Sequence, residues 1–234
     1  MSDPRTQEID EGLRAIRERI RKACTECGRD PDDITLIVVT KTFPADDVER
    51  LVELGVRDVG ENRDQEARPK AEQVTVPDLR WHFIGQLQSN KASHVAQYAD
   101  VVHSVDRVSL VDALEKGAQR AGRNLDCLVQ VNLDPPDRPG RGGVAPEDAL
   151  ALADAIAAGD HLRVRGVMGV APLDGDAGQA FATLYRTWQL IRSRYPDADV
   201  MSAGMSDDLE EAIGAGATHL RVGSAILGSR PALG

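Results

Sequence analysis

The sequence predicts an α/β fold, a single closed (β/α)8 barrel of the TIM type with an additional N-terminal helix. Three observations carry this. Eight short apolar segments alternate with longer segments of helical periodicity, which is the order of a parallel sheet with crossover helices. Eight is also the strand number that closes such a sheet into a barrel. Finally, the 234 residues contain no Gly/Ser tract, charge block or low-complexity run that would mark a linker, so residues 1–234 read as one domain. An open three-layer sheet fits the same alternation, but a single set of units without a linker makes the barrel the simpler reading.

The first element is a helix from Ile9 to Cys27, where Ile9, Leu13, Ile16, Ile20 and Ala23 recur at helical spacing. Gly28 stops it and Pro31 confirms the break. The pattern then changes to short apolar runs. Strands are expected at Thr35–Thr40, Asp58–Gly60, Trp81–Ile84 and Val101–Ser104. Four more follow at Cys127–Asn132, Arg163–Met168, Asp199–Ser202 and His219–Val222. Helices are expected between them at Ala45–Leu54, Asp64–Gln73, Lys91–Tyr98, Arg107–Ala121, Pro146–Ala158, Gly178–Arg194 and Asp207–Gly214.

Composition excludes several function classes. Hydrophobic residues make up 41% and charged residues 28%, the balance of a folded globular chain rather than a disordered one. A formal net charge of −10 argues against a general nucleic-acid or anionic-membrane surface, which would be basic. No apolar run reaches the length of a membrane span. The polar, acidic start MSDPRTQEIDEG is unlike a secretory signal. Three cysteines, an odd and low count, suggest a reducing compartment and hence the cytoplasm. Cys24 and Cys27 form a C-x-x-C pair, but it sits at a helix end and lacks a second ligand pair, so a structural reading is preferred over zinc or redox chemistry. No histidine spacing suggests a metal. His82 and His103 fall in expected strands, whereas His94 and His161 are expected near the surface. No G-x-S-x-G elbow is present.

In a barrel the site lies at the carboxyl ends of the strands. The residues there include Lys41, Glu61, Asn62, Gly85, Gln86, Asp106, Asn132, Met168, Gly169, the run Gly204 to Asp207, Gly223 and Ser224. Lys41 is the most pointed of these. The stretch LIVVTKTFP places an amine directly after a strand that looks fully buried, where an ammonium is costly to desolvate. Either the lysine reaches past the strand end into water, or its amine is the reactive group of a site. SAGMSDDLEEAI puts Ser206 before an acidic helix as its N-cap, and LRVGSAILGSR puts Gly223 and Ser224 straight after the last strand. Glycine lets backbone N–H groups approach a ligand, helix starts attract anions, and barrels often hold phosphate in the loops after strands seven and eight. Arg221, two residues before Gly223, faces either the barrel centre or the helix layer and needs a partner, which a surface salt bridge or a ligand would supply. The turn-rich loop from Asp134 to Val144, carrying Arg138 and Arg141, reads either as a mobile connection only or as a cover for the barrel mouth.

Five ordered motifs resemble those of the pyridoxal phosphate homeostasis proteins, single-domain relatives of the alanine racemase barrel. They are VVTKTFP, GEN-x-x-Q-E from Gly60 to Glu66, WHFIGQLQSNK from Trp81 to Lys91, GMSDDLEEAI from Gly204 to Ile213, and RVGSAILGSR from Arg221 to Arg230. The resemblance runs from about Ile9 to Arg230. It implies pyridoxal 5′-phosphate (PLP) as cofactor, held as an internal aldimine on Lys41, a role that suits an amine partly withdrawn from water. It further implies phosphate contacts from Ser206, Gly223 and Ser224, Arg221 near the pyridine nitrogen, and Asn62 lining the cofactor. The chain departs from the usual pattern at Ala203, Arg63 and Leu227, and Arg63 stands where many members carry tyrosine.

The resemblance implies an intracellular PLP carrier, buffering or delivering the cofactor, rather than an enzyme with fast turnover. Expected partners are PLP and apo forms of PLP-dependent enzymes, with no nucleic acid, membrane or metal, and the expected state is a monomer. Two alternatives remain open at this stage. One is a PLP-dependent racemase, against which the chain's end at Gly234 and its three tyrosines in outer helices both count. The other is a cofactor-free Schiff-base lyase using Lys41 directly on a sugar phosphate.

Overall fold

The computed structural model describes residues 3–135, 141–173 and 175–229. Eight parallel strands close into one barrel in sequence order. They are β1 (Thr35–Val39), β2 (Asp58–Glu61), β3 (Arg80–Phe83), β4 (Val101–Val105), β5 (Leu125–Gln130), β6 (Leu162–Met168), β7 (Val200–Ser202) and β8 (His219–Val222). Closure is made by β8 on β1, in register from Thr35 opposite His219 to Val38 opposite Val222.

The helices are α1 (Pro4–Cys27), α2 (Ala45–Glu53), α3 (Asp64–Gln73), α4 (Ala92–Tyr98), α5 (Val108–Ala121), α6 (Ala149–Ala157), α7 (Ala177–Arg194), α8 (Leu209–Gly214) and α9 (Ser224–Leu227). Helix α1 begins five residues before the expected Ile9. Asp3 caps it by accepting from the N–H groups of Arg5 at 2.7 Å and Thr6 at 3.3 Å, and Pro4 fits the first turn, where its missing N–H costs nothing. Gly28 ends it in the left-handed conformation, as the sequence suggests. The buried stripe of α1 lies against α8 and α9. At Gly12 a Cβ would come within 2.6 Å of the Ile226 carbonyl oxygen, so glycine permits this close approach.

Side chains alternate across each strand. The outward set, including Val38, Val59, Trp81, Val102, Cys127, Val167, Leu220 and Val222, packs under the helices as one continuous apolar core. The inward set is different. Its apolar part is a small separate cluster of Val101, Leu128, Met168 and Val200. Asp58, His82, His103, Ser202 and Arg221 share the lumen with it. One glycine is required by this geometry: Gly166 in β6 has φ 140°, and a Cβ there would lie 1.8 Å from the Val200 carbonyl oxygen.

Three expectations need correction. Strand β5 lies two residues earlier than Cys127–Asn132, and Val131 instead forms an isolated bridge to Val144. Helix α9 was not anticipated, because four residues are too few to show a period. Helix α8 starts at Leu209 rather than Asp207, since Asp208 accepts the Met205 N–H at 2.6 Å and closes a turn before the helix. No described helix is long and apolar enough to cross a membrane.

Candidate functional site

A cavity of about 370 Å³ opens at the carboxyl end of the barrel, and Lys41, Asn62, Ser206, Arg221, Gly223 and Ser224 all line it. Val39, Phe43, Ile84 and Val170 supply its apolar walls. Lys41 comes immediately after the strand ladder, which Thr40 extends by donating its N–H to the Gly60 carbonyl at 2.9 Å. The chain then turns through Thr42 at φ 69°, the left-handed region that a β-branched residue enters only under constraint. Glu66 supplies part of that constraint by accepting the Thr42 N–H at 3.0 Å. The result is a half-buried Lys41 at the barrel mouth.

Glu61 is not in the mouth. As the strand period requires, its side chain points outward, opposite in sense to its neighbours Gly60 and Asn62, and it is 1% exposed beneath α3. Lys70 Nζ lies 2.6 Å from Glu61 Oε1 and donates to the Thr40 carbonyl at 2.8 Å, while Thr40 Oγ1 donates to Glu61 Oε1 at 2.7 Å. Burial raises the Glu61 carboxyl above its usual range, with Lys70 and the hydrogen bonds opposing that rise. This buried knot ties the residue preceding Lys41 to β2 and α3. Lys70 escaped the sequence reading, although its place between Ala67 and Val74 on the buried face of α3 was a legible anomaly.

Arg221 faces the barrel centre and is 5% exposed, so the surface salt bridge is ruled out. It donates to Ser202 Oγ at 2.6 Å and to the Gly169 carbonyl at 2.8 Å. Burial lowers its pKa to about 10, partly offset by Asp208, which leaves a cation at neutral pH. Ser206 is not a helix cap, because Asp208 has taken the turn-closing role; Ser206 is half-buried at the cavity instead. At Gly223 a Cβ would sit 3.1 Å from the Val39 carbonyl oxygen, so the β8 end passes close under β1. Asn62 Oδ1 and Thr42 Oγ1 are buried without a hydrogen-bond partner, and both residues line the cavity. Thr42 and Ser202 are site residues that the sequence reading did not name.

The other mouth residues disperse. Gln130 Nε2 donates to the Gly142 carbonyl at 2.7 Å, and a Cβ on Gly142 would meet Asp106 Oδ2 at 3.1 Å and Gln86 Nε2 at 3.2 Å, so Gln86 and Asp106 face the loop rather than the cavity. Asn132 accepts the Asp134 N–H at 2.9 Å. Arg141 donates to the carbonyls of Val170 and Ala171, which fixes Arg141 at one side of the mouth, while Arg138 lies outside the described residues. His94 and His161 are half-buried on the outer layers, paired with Asp64 at 3.2 Å and Glu115 at 2.7 Å. Cys24 is buried and Cys27 exposed, both as free thiols; burial raises the thiol pKa of Cys24.

The gathered groups suit a small anionic, carbonyl-bearing, aromatic ligand. They offer an amine for the carbonyl, hydroxyls at two loop ends for the anion, apolar walls for a ring, and two unsatisfied polar atoms for ring substituents. Comparison with known proteins agrees. Residues 12–231 match the family described as alanine racemase, N-terminal domain. The pyridoxal phosphate homeostasis protein of Pseudomonas aeruginosa is 39% identical over 222 residues, spanning 95% of this chain and 96% of that protein. Its counterpart in Escherichia coli K12 is 36% identical over 229 residues, spanning 95% and 97%. Among solved structures, PipY of Synechococcus elongatus with PLP bound is similar at a TM-score of 0.81 and 33% identity, covering 94% of this chain and all of that one. Alanine racemase from Corynebacterium glutamicum shares the fold alone, at 12% identity and a TM-score of 0.70. Since the similarity extends over nearly the whole chain of both relatives and the family match runs through residues 12–231, the chain belongs to the pyridoxal phosphate homeostasis protein family, built on the alanine racemase N-terminal barrel.

Proposed function

We propose that this chain binds pyridoxal 5′-phosphate covalently through Lys41 and holds or delivers it within the cell, without fast catalytic turnover. The observation that carries this reading is the single cavity in which Lys41, Arg221 and the loop ends after β7 and β8 meet. The cofactor, when bound, supplies an aldehyde for the amine and an electron-withdrawing ring. Lys41 provides the covalent attachment. Ser206, Gly223 and Ser224 bind the phosphate, and Asn62 and Thr42 satisfy their orphaned oxygens on ring substituents. The apolar walls keep water from the ring faces.

Arg221 supports the quiet-carrier reading over a racemase. A guanidinium beside the ring nitrogen disfavours a second positive charge there, so the ring withdraws electrons weakly. Nor does a tyrosine line the cavity. Tyr98 is half-buried against the outer layer, Tyr185 stacks edge-on with Trp188, and the Tyr195 hydroxyl lies 2.6 Å from Asp154. We place this one-domain chain in the cytoplasm as a monomer, on its cysteine content and the lack of a surplus apolar helix face, with apo PLP-dependent enzymes as recipients.

Ser206→Ala and Ser224→Ala are each expected to weaken PLP binding by about 1.5–3 kcal/mol, a factor of roughly 10 to 150, with little effect on pyridoxal. Titrating each variant with both ligands checks this, and equal losses for the two would contradict a phosphate role. With PLP bound, exchange of the alanine α-proton in deuterated buffer is expected to stay far below turnover of about 1 per second, the lower end of ordinary enzyme rates. A rate at or above that figure restores the racemase reading.

A further inference from the structure

Below the mouth, a continuous line of polar lumen side chains runs from Arg221, at the cofactor cavity, towards the opposite end of the barrel. Asp58 Oδ1 lies 2.8 Å from His82 Nε2, and His82 Nδ1 lies 2.9 Å from His103 Nε2. His103 Nδ1 lies 3.0 Å from Ser202 Oγ, which accepts from Arg221 at 2.6 Å. Five strands, β2, β3, β4, β7 and β8, contribute one residue each. His82, His103, Ser202 and Arg221 are all buried. The far end reaches a second cavity, of about 450 Å³, at the amino-terminal mouth of the barrel, where His82 and His219 form part of the lining.

The donors and acceptors allow one arrangement while both histidines are neutral. Arg221 can only donate, so Ser202 Oγ accepts from it; the Asp58 carboxylate can only accept, and this sets every donor from His82 Nε2–H back to the Ser202 hydroxyl, which donates to His103 Nδ1. A neutral imidazole has one N–H, so His103 donates from Nε2, His82 accepts at Nδ1, and His82 donates from Nε2 to Asp58. Both ends are pinned. Burial alone would raise the Asp58 carboxyl, but the hydrogen bond and charge of His82, with Arg80 and His219, hold it below its usual value as an acceptor-only carboxylate. Burial, then the charges of His82 and Arg221, push His103 well below the usual imidazole range, so it remains neutral.

We propose that Asp58, His82, His103 and Ser202 form a one-way hydrogen-bond relay that positions Arg221, so that proton uptake at the amino-terminal mouth alters how Arg221 is held at the opposite one. The relay rests on the hydrogen-bond distances and the donor–acceptor chemistry above; its consequence for the cofactor rests on the reading of the Arg221 mouth given above. When His82 gains a proton at Nδ1, it faces His103 Nε2 as a donor. His103 must then carry its one proton on Nδ1 and donate to Ser202 Oγ. That oxygen then receives from both His103 and Arg221, and its own hydrogen loses the His103 acceptor. One proton enters from solvent and the proton count of His103 is unchanged.

The charged groups around His82 bear on this step. They are Asp58 on β2, Arg80 on its own strand with Asp126 of β5 at 3.2 Å, His103 on β4, and His219 on β8 with its ring 6.5 Å away. Around the same mouth lie Arg165 of β6 paired to Asp199 at 2.8 Å, Arg29, Asp33, and Arg192 of α7. His219 is held neutral to about pH 3 by burial, and then by the charge of His82. His82, hydrogen-bonded to Asp58, is the member of the line that borders the lower cavity.

Long-range proton–nitrogen NMR on the full histidine-labelled chain reads the tautomers directly, without cofactor. Both His82 and His103 are expected as Nε2–H tautomers at neutral pH. On acidification, His103 is expected to switch to Nδ1–H in the same step in which His82 becomes doubly protonated. An Nδ1–H form of either residue at neutral pH, or a His103 that keeps Nε2–H through that step, overturns the relay. With PLP bound, the visible band is expected to shift in the same pH step, and His82→Gln to remove that shift; a band indifferent to the step overturns the positioning of Arg221. Absence of PLP binding counts against the Lys41 reading alone and leaves the histidine spectra to decide the relay.

Discussion

Lys41→Ala is expected to abolish entirely the visible absorption band that PLP acquires on mixing with the protein. The reason is local supply. Lys41 provides the amine in the lining of the carboxyl-end cavity. Lys70, the other lysine tied to this strand end, is buried on the outward side and engaged by Glu61 and Thr40. Lys91 lines a neighbouring depression past β3. Since Ser206, Ser224 and Arg221 are untouched, weaker non-covalent binding that still requires the phosphate is expected to survive. Because Lys41 lies half-exposed in a turn, thermal unfolding of the variant is expected within a few degrees of the parent. Titration with PLP at the imine absorption, alongside a melting curve, checks both parts. A variant that keeps the full band would remove Lys41 from its assigned role.

Lys70→Met is expected to cost about 3–5 kcal/mol of folding stability, the usual penalty for stranding one partner of a buried ion pair. Methionine fills the space but leaves Glu61 with Thr40 Oγ1 as its remaining partner among the contacts described, and Glu61 Oε2 already has none. The pH dependence has a definite sign. Burial raises the Glu61 carboxyl, so the folded state holds its proton more tightly than the unfolded chain does. Losing Lys70 enlarges that difference. The deficit relative to the parent is therefore small near and below the ordinary carboxyl range and grows as pH rises above it. Urea unfolding at about pH 5 and about pH 8 is expected to show the larger deficit at the higher value. A deficit equal at both would mean that Glu61 is not the stranded group. The knot also anchors Thr40, so Lys70→Met is further expected to loosen the turn that carries Lys41.

The barrel was legible because its signals are periodic and repeated. Outward positions such as Val38, Val59 and Val102 meet the helix layer, and strands such as β1 and β4 therefore announce themselves as apolar runs. The mouth was legible for a related reason: Lys41, Asn62, Ser206, Arg221, Gly223 and Ser224 all fall just past or within strand ends, and closure of the sheet brings those ends to one cavity. What stayed hidden depends on pairing between distant strands. Nothing local indicates that Glu61 faces α3 while Asn62, the next residue, faces the site; only the phase of β2 against its neighbours fixes that. Likewise His82 and Ser202 are separated by about half of the chain, and His103 joins them only when β4 and β7 face each other across the lumen. The start of α1 was a missed opportunity, since Asp3 followed by Pro4 is a capping signature readable in two letters.

The account stands or falls on where the cofactor is attached. The protein is loaded with PLP, reduced with borohydride to fix the imine as a stable amine, digested, and its peptides are mapped by mass. The expected result is one pyridoxyl adduct, on the peptide carrying Lys41, and none when pyridoxal phosphate is withheld. An adduct predominantly on Lys91, Lys70 or any other lysine would contradict the assignment of the carboxyl-end cavity as the cofactor site.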